Sequence, residues 1–172
     1  MANKYYMSLV LAVFIIALSS TTVQAQDTTI TFQEKSRPIQ IALFAPIQIL
    51  PETDFIHGFR FDLIYGRNTS ITGLDLGFIN HLTMGFSEGV QVGFVNMIEN
   101  DYTGWQCGFI NLTKNNFEGF QSGLFNYAKM IKGVQFGLVN YVGDINGLQI
   151  GLVNINEKSY DFPVLPIVHW SF

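Results

Sequence analysis

The sequence predicts an all-β fold: a short-coil, β-solenoid-like repeat stack closed at its ends by capping strands. Three observations predict it. A pattern of eight residues recurs six times, at intervals of 14–16 residues. Within each copy apolar side chains alternate with small or polar ones, which is the period of a strand and not of a helix. The apolar row of each copy is also too short to span a bilayer, and this weighs against a transmembrane β-barrel, the other architecture that such alternation builds.

The first element in chain order is residues 1–25, MANKYYMSLVLAVFIIALSSTTVQA. Lys4 precedes an apolar run from Met7 to Leu18, and a polar stretch ends in Val23, Gln24 and Ala25. That is the layout of a secretory signal that a peptidase removes. Its ~12 apolar residues fall short of the ~20 a membrane span needs. No Cys stands at its end to carry a lipid anchor. The chain is therefore expected to be exported, with 26–172 as the mature segment.

That segment has about 147 residues, enough for one domain with its own core. Without Lys4 it carries eight basic and thirteen acidic side chains. A surface of that sign gives no reason to expect nucleic acid or anionic headgroups as partners. The single cysteine, Cys107, cannot close an internal disulfide.

Residues 26–72 read as N-terminal strands that cap the stack. PIQIALFAPIQI (38–49) alternates cleanly, and in GFRFDLIYG (58–66) Phe59, Phe61, Leu63 and Tyr65 oppose Arg60 and Asp62.

Residues 73–154 hold the six copies. They are GLDLGFIN (Gly73, Gly77, Asn80), GVQVGFVN (Gly89, Gln91, Gly93, Asn96) and GWQCGFIN (Gly104, Gln106, Gly108, Asn111). GFQSGLFN (Gly119, Gln121, Gly123, Asn126), GVQFGLVN (Gly133, Gln135, Gly137, Asn140) and GLQIGLVN (Gly147, Gln149, Gly151, Asn154) follow. The first copy departs from the pattern with Asp75 in the Gln place. Numbering the places of a copy from its first Gly, apolar residues at two, four and six point one way. Gly, Gln, Gly and Val/Ile at one, three, five and seven point the other, and Asn at eight closes the strand. The spacers add an apolar residue two before most first glycines: Ile71, Tyr102, Phe117, Ile131 and Ile145.

In a solenoid, equivalent residues stack at ~4.8 Å, so identical environments favour identical residues and Gln or Asn form ladders. In a barrel each copy would be one tilted strand, and its lipid face would need a band about 25 Å tall. Three apolar places at ~3.3 Å per residue offer ~13 Å. The solenoid is the better reading of the repeats, with a small antiparallel outer-membrane barrel as the alternative. On the solenoid reading Gly, Gln, Gly and Val/Ile form the outer face. Val95, Ile110, Val139 and Val153 are then candidates for a contact face, toward another copy, another envelope component or the flanking strands.

Residues 155–172 form the C-terminal capping strand. FPVLPIVHWSF (162–172) ends in Phe172 with Val168 and Trp170 on its face, as the last strand of outer-membrane barrels does, but Pro163 and Pro166 argue against a paired position. The repeats of the form GLQIGLVN, the order FDLIYG-then-repeats and this FPVLPIV-x-WSF ending resemble the uncharacterised bacterial surface repeat-containing proteins, over roughly residues 38–172. The resemblance implies an envelope or surface location in a bacterium with an outer membrane. It brings no activity, cofactor or catalytic residue to carry over.

The residues themselves point away from catalysis. His57, His81 and His169 lie in separate segments without ligand spacing, and no metal or cofactor motif occurs. Ser122 lies in a strand without a nucleophile elbow and reads as a small core residue. Cys107 shares a repeat place with Leu76, Val92, Phe136 and Ile150, so it reads as a buried hydrophobe. The expected role is structural or binding, exported, with no cofactor, an unnamed partner and membrane association possible. A secreted enzyme is the distant alternative and would require the caps to bring His57, Asp54 and His169 together.

Overall fold

The computed structural model describes residues 36–172; the expected signal at 1–25 and the start of the mature segment lie outside the described residues. Seven strands form one sheet in the order β2-β1-β3-β4-β5-β6-β7. They are β1 (Ser36–Phe44), β2 (Ile47–Gln48), β3 (Phe55–Asn68), β4 (Ser70–Leu82), β5 (Ser87–Ile98), β6 (Tyr102–Asn156) and β7 (Val164–Ser171). The 55 residues of β6 would reach ~180 Å if straight, at ~3.3 Å per residue. Instead they wind on as further coils, and the described residues form a β-solenoid.

Register follows the repeat. Gly73 lies beside Gly89, Asp75 beside Gln91 and Asn80 beside Asn96. Gly89, Gln91 and Asn96 lie beside Gly104, Gln106 and Asn111 in turn. All of these pairings are parallel, whereas barrel strands of the outer-membrane type run antiparallel to their neighbours. The barrel alternative is thereby set aside for the described residues. β3 is itself a coil in the same register, with Gly58 beside Gly73 and Arg60 beside Asp75. Gln40 of β1 continues the column beside Arg60.

The first glycine of each copy is fixed by its backbone. From Gly73 to Gly147 these glycines hold φ between 131° and 149°, where side chains rarely go. A Cβ there would fall on the carbonyl oxygen of the equivalent glycine one coil below.

One expectation is reversed. Gln at place three does not lie on the outer face that alternation suggests; Gln91, Gln106, Gln121, Gln135 and Gln149 are fully buried. Places two, four and six face outward, and with them Cys107 and Ser122, which are half-buried and not core. The chain turns between places five and eight, so places six and seven both point out and Asn at eight points in. The physical reason is space. So short a coil admits few inward side chains, and amides that bond to their own copies fill the gap, leaving unpaired only the oxygens at the column ends, Asn80 Oδ1 and Gln149 Oε1.

The apolar core occupies the other half of the coil. It comprises Ile56, Ile71, Tyr102, Phe117, Ile131 and Ile145, two before the first glycine of each coil, with Leu82, Ile98, Ala128 and Val142, two after the asparagine.

Candidate functional site: an apolar outer face over polar columns

Two amide columns run along the axis. Each Gln donates to the one before it: Gln106 to Gln91 at 2.9 Å, Gln121 to Gln106 at 2.6 Å, Gln135 to Gln121 at 2.7 Å and Gln149 to Gln135 at 2.9 Å. The Asn column donates the opposite way, from Asn80 through Asn96, Asn111, Asn126 and Asn140 to Asn154, each step 2.8 Å. Each Asn from Asn80 to Asn140 also donates to the place-four carbonyl of the following coil, as Asn126 does to Phe136 at 3.0 Å. This bond crosses the corner where the backbone ladder is interrupted. The place-five glycine leaves the room: a Cβ at Gly93 would come within 2.5 Å of Asn80 Nδ2 and 2.8 Å of Asn96 Oδ1.

The Gln column ends on charges. Gln91 donates to Asp75 at 2.8 Å, and Arg60 binds both Asp75 oxygens, Nε and Nη2 each at 2.7 Å. Arg60 has donors only and could not accept from Gln91, so a carboxylate between them satisfies both. That is why the first copy carries Asp. Burial works against the Arg60 charge, but Asp75 and Asp62 outweigh it and hold its pKa above the usual range. Asp62 Oδ2 lies 3.0 Å from Arg60 Nε, and all three side chains are fully buried. Burial pushes the Asp62 carboxyl up to about 7, partly offset by Arg60 and reinforced by Asp75.

Over these polar columns lies an apolar exterior. Place six presents Phe78, Phe94, Phe109, Leu124, Leu138 and Leu152, and Phe78 and Leu152 are 52% and 67% exposed. Phe78, Phe94 and Phe109 stack with ring centroids 5.1 and 4.8 Å apart. Place two adds Trp105, which meets Phe120 edge-on at 5.8 Å. The candidates Val95, Ile110 and Val139 are half-buried at place seven and Val153 is exposed; all four adjoin the place-six row, away from the Gln with which they had been grouped. The flanks extend the face through Ile39, Ile41, Phe61 and Leu63 at one end and Val164, Ile167 and Trp170 at the other. Large apolar side chains exposed coil after coil are the kind of surface that marks a site of interaction.

The opposite edge is charged and paired coil to coil. Lys114 meets Glu99 at 2.6 Å, Lys132 meets Glu118 at 2.9 Å and Lys158 meets Asp144 at 3.0 Å. A cleft of about 310 Å³ opens there, lined by Phe86, Tyr102, Phe117 and Met130 as well as by Asp101, Thr103, Asn116, Glu118 and Lys132. Its charged groups are already engaged, Asp101 by Asn115 and the Asn116 amide and Glu118 by Lys132.

The histidines come to lie apart. His57 is exposed in the first coil and His169 is buried in β7 at the far end of the stack, so the cap cluster with Asp54 does not assemble; Asp54 pairs instead with Arg37 at 3.3 Å. His81 forms a row that sequence reading missed. Its Nδ1 meets Tyr65 Oη at 2.8 Å and its Nε2 meets Glu99 at 3.1 Å, and burial lowers its pKa against the pull of Glu99. With both ring nitrogens occupied, His81 ties three coils together. The coil spacing, which sets Glu99 and Lys114 at equivalent places, was the signal that could have found the row. Among the described residues no group of three His, Cys, Asp or Glu is placed to hold a metal ion. Comparison with models of known families, with curated proteins and with solved structures finds no match.

Proposed function

We propose that the protein is an exported, non-enzymatic envelope or surface protein of a bacterium with an outer membrane, acting as a structural or binding module through its apolar outer face. The face carries this reading. Its side chains are large, stacked from coil to coil and uncovered among the described residues, while the interior beneath them is polar and hydrogen-bonded. Folding alone gains little from Phe and Leu on the outside, so their use lies in contact with something else. The signal-like residues 1–25 supply the export, and the resemblance to surface-repeat proteins supplies the compartment.

Fractionating a bacterium that expresses the chain with its own leader tests both parts. The expected product lacks residues 1–25 and stays with the envelope. The triple variant Val95→Lys, Val139→Lys, Val153→Lys is expected to appear in the soluble periplasmic or culture fraction. A full-length product in the cytosol refutes export. Unchanged envelope attachment of the triple variant refutes the role of this face.

A further inference from the structure

We propose that the apolar face seats on the acyl layer of an uncharged lipid leaflet, with the coil axis in the membrane plane. This rests on the reading of that face as the contact surface and names its occupant.

The order of residues around the coil, combined over neighbouring copies because no one copy holds both the Trp and the Tyr, carries the inference. Just before the first glycine come Glu88, Glu118 and Lys132. Trp105 follows at place two, and Trp170 of β7 joins that row by pairing with Leu148. Places four, six and seven are aliphatic or Phe except at Cys107 and Ser122, and place five is Gly. Tyr127 and Tyr141 then stack at place nine, with ring centroids 5.5 Å apart, and Glu99, Lys114, Lys129 and Glu157 return at place eleven. Charge, Trp, hydrocarbon, Tyr, charge is the order met on passing from water through a membrane interface and back, where Trp and Tyr rings gather at headgroup depth.

Shape separates lipid from a second copy. A flat partner could cover places two and four, but places six and seven turn the corner, and the apolar surface follows them round it. Fluid acyl chains coat a convex edge, whereas a rigid, self-complementary face leaves part of it wet. The interior suits the low dielectric as well, since the amides nearest this edge are hydrogen-bonded along both columns. Ile167 adds an independent observation. It holds φ at 68°, a conformation in which a β-branched residue is a genuine outlier, and its side chain is 69% exposed. Folding alone favours Gly or Asn there, so the apolar side chain is kept for an outside contact. The chain's net charge of −4 offers no attraction to anionic headgroups, which leaves apolar burial as the driving force.

Flotation of the purified mature chain with phosphatidylcholine vesicles tests this. Co-flotation that persists in high salt is expected, with Trp fluorescence quenched by brominated acyl chains. The variant Phe94→Glu, Leu138→Glu, changed at two exposed positions and checked for an unaltered β spectrum, is expected to bind at least tenfold more weakly. Lys129→Glu on the charged edge should bind as the parent does. Binding only to anionic vesicles, abolished by salt, overturns the proposal. Absence of flotation together with a dimer that Phe94→Glu, Leu138→Glu dissociates also overturns it, yet leaves the face as a binding surface. Neither flotation nor self-association, with the variant indistinguishable from the parent, overturns both readings.

Discussion

Asp62 is fully buried, and neither of its carboxylate oxygens has a hydrogen-bond partner. Arg60 is already matched by Asp75, so an ionised Asp62 places a second negative charge where one cation serves. Its pKa rises to about 7 from an ordinary 3.8, which means that the folded chain holds this proton more tightly than the unfolded chain does. The stability it contributes is therefore complete below about pH 4 and is lost as pH rises through about 7. His81 and His169, whose pKa values burial lowers, act with the opposite sign, losing stability as pH falls below 6.5. The difference between two chains isolates Asp62 from them. Asp62→Asn should exceed the parent by a margin that grows between pH 5 and pH 8 by on the order of 2 kcal/mol, several degrees in Tm. Thermal unfolding followed by circular dichroism at both values decides it. An equal gap between the chains at pH 5 and pH 8 would show that Asp62 does not titrate in this range.

A coil succeeds as an element because its corner solves a hydrogen-bonding problem. Where places six and seven both turn outward, the backbone ladder breaks, and Asn at eight bonds across the gap while the place-five glycine clears its path. Asn126 makes two such donations and accepts a third bond from Asn111. Asn80, first in its column, has no donor to its Oδ1 because Gly66 occupies the place before it. Replacing Asn126 by Ala should therefore cost more than replacing Asn80, by about 1–2 kcal/mol, since it also orphans a neighbour on its other side. Urea unfolding of the two variants checks this, and equal midpoints would mean that the column does not act as a chain.

The spacing of glycines and asparagines made this element legible, and with it the solenoid. The direction of the side chains was not legible, because period two gives two faces without saying which is inside. Nor could alternation show that the strand turns after place five, which moved Val95 and Val139 away from Gln91 and Gln135. Arg60 and Asp62 were visible as a polar pair, but their ties to Asp75 depend on β3 being a coil in register, and its one-residue shift between Asp62 and Tyr65 hid the repeat. Sequence alone places these apolar rows in the interior because hydrophobic rows usually face a core.

At the scale of the whole molecule, every coil meets only its neighbours, so both ends of the stack are open sheet edges unless something blocks them. At the start, β1 folds back on the two-residue β2, too short to template a further strand. At the finish, β7 lies antiparallel on the last coil, with Gly147 opposite Ser171 and Ile155 opposite Val164. Pro163 and Pro166, which counted against a barrel strand, make sense here: a terminal strand pairs on one side only, and proline on its other side offers the next chain no N–H. Deleting residues 157–172 removes this block and bares the edge from Gly147 to Ile155. The bared coil is parallel, regular and free of proline, and it would pair with the same bared end of a second molecule. The truncated chain should therefore form end-to-end dimers as concentration rises, while the full chain under the same conditions does not. Detergent above its critical micelle concentration masks the lateral apolar face, so light scattering measured there reports on the ends alone. Scattering from the truncated chain that stays equal to the parent's would show that β7 is dispensable as a cap.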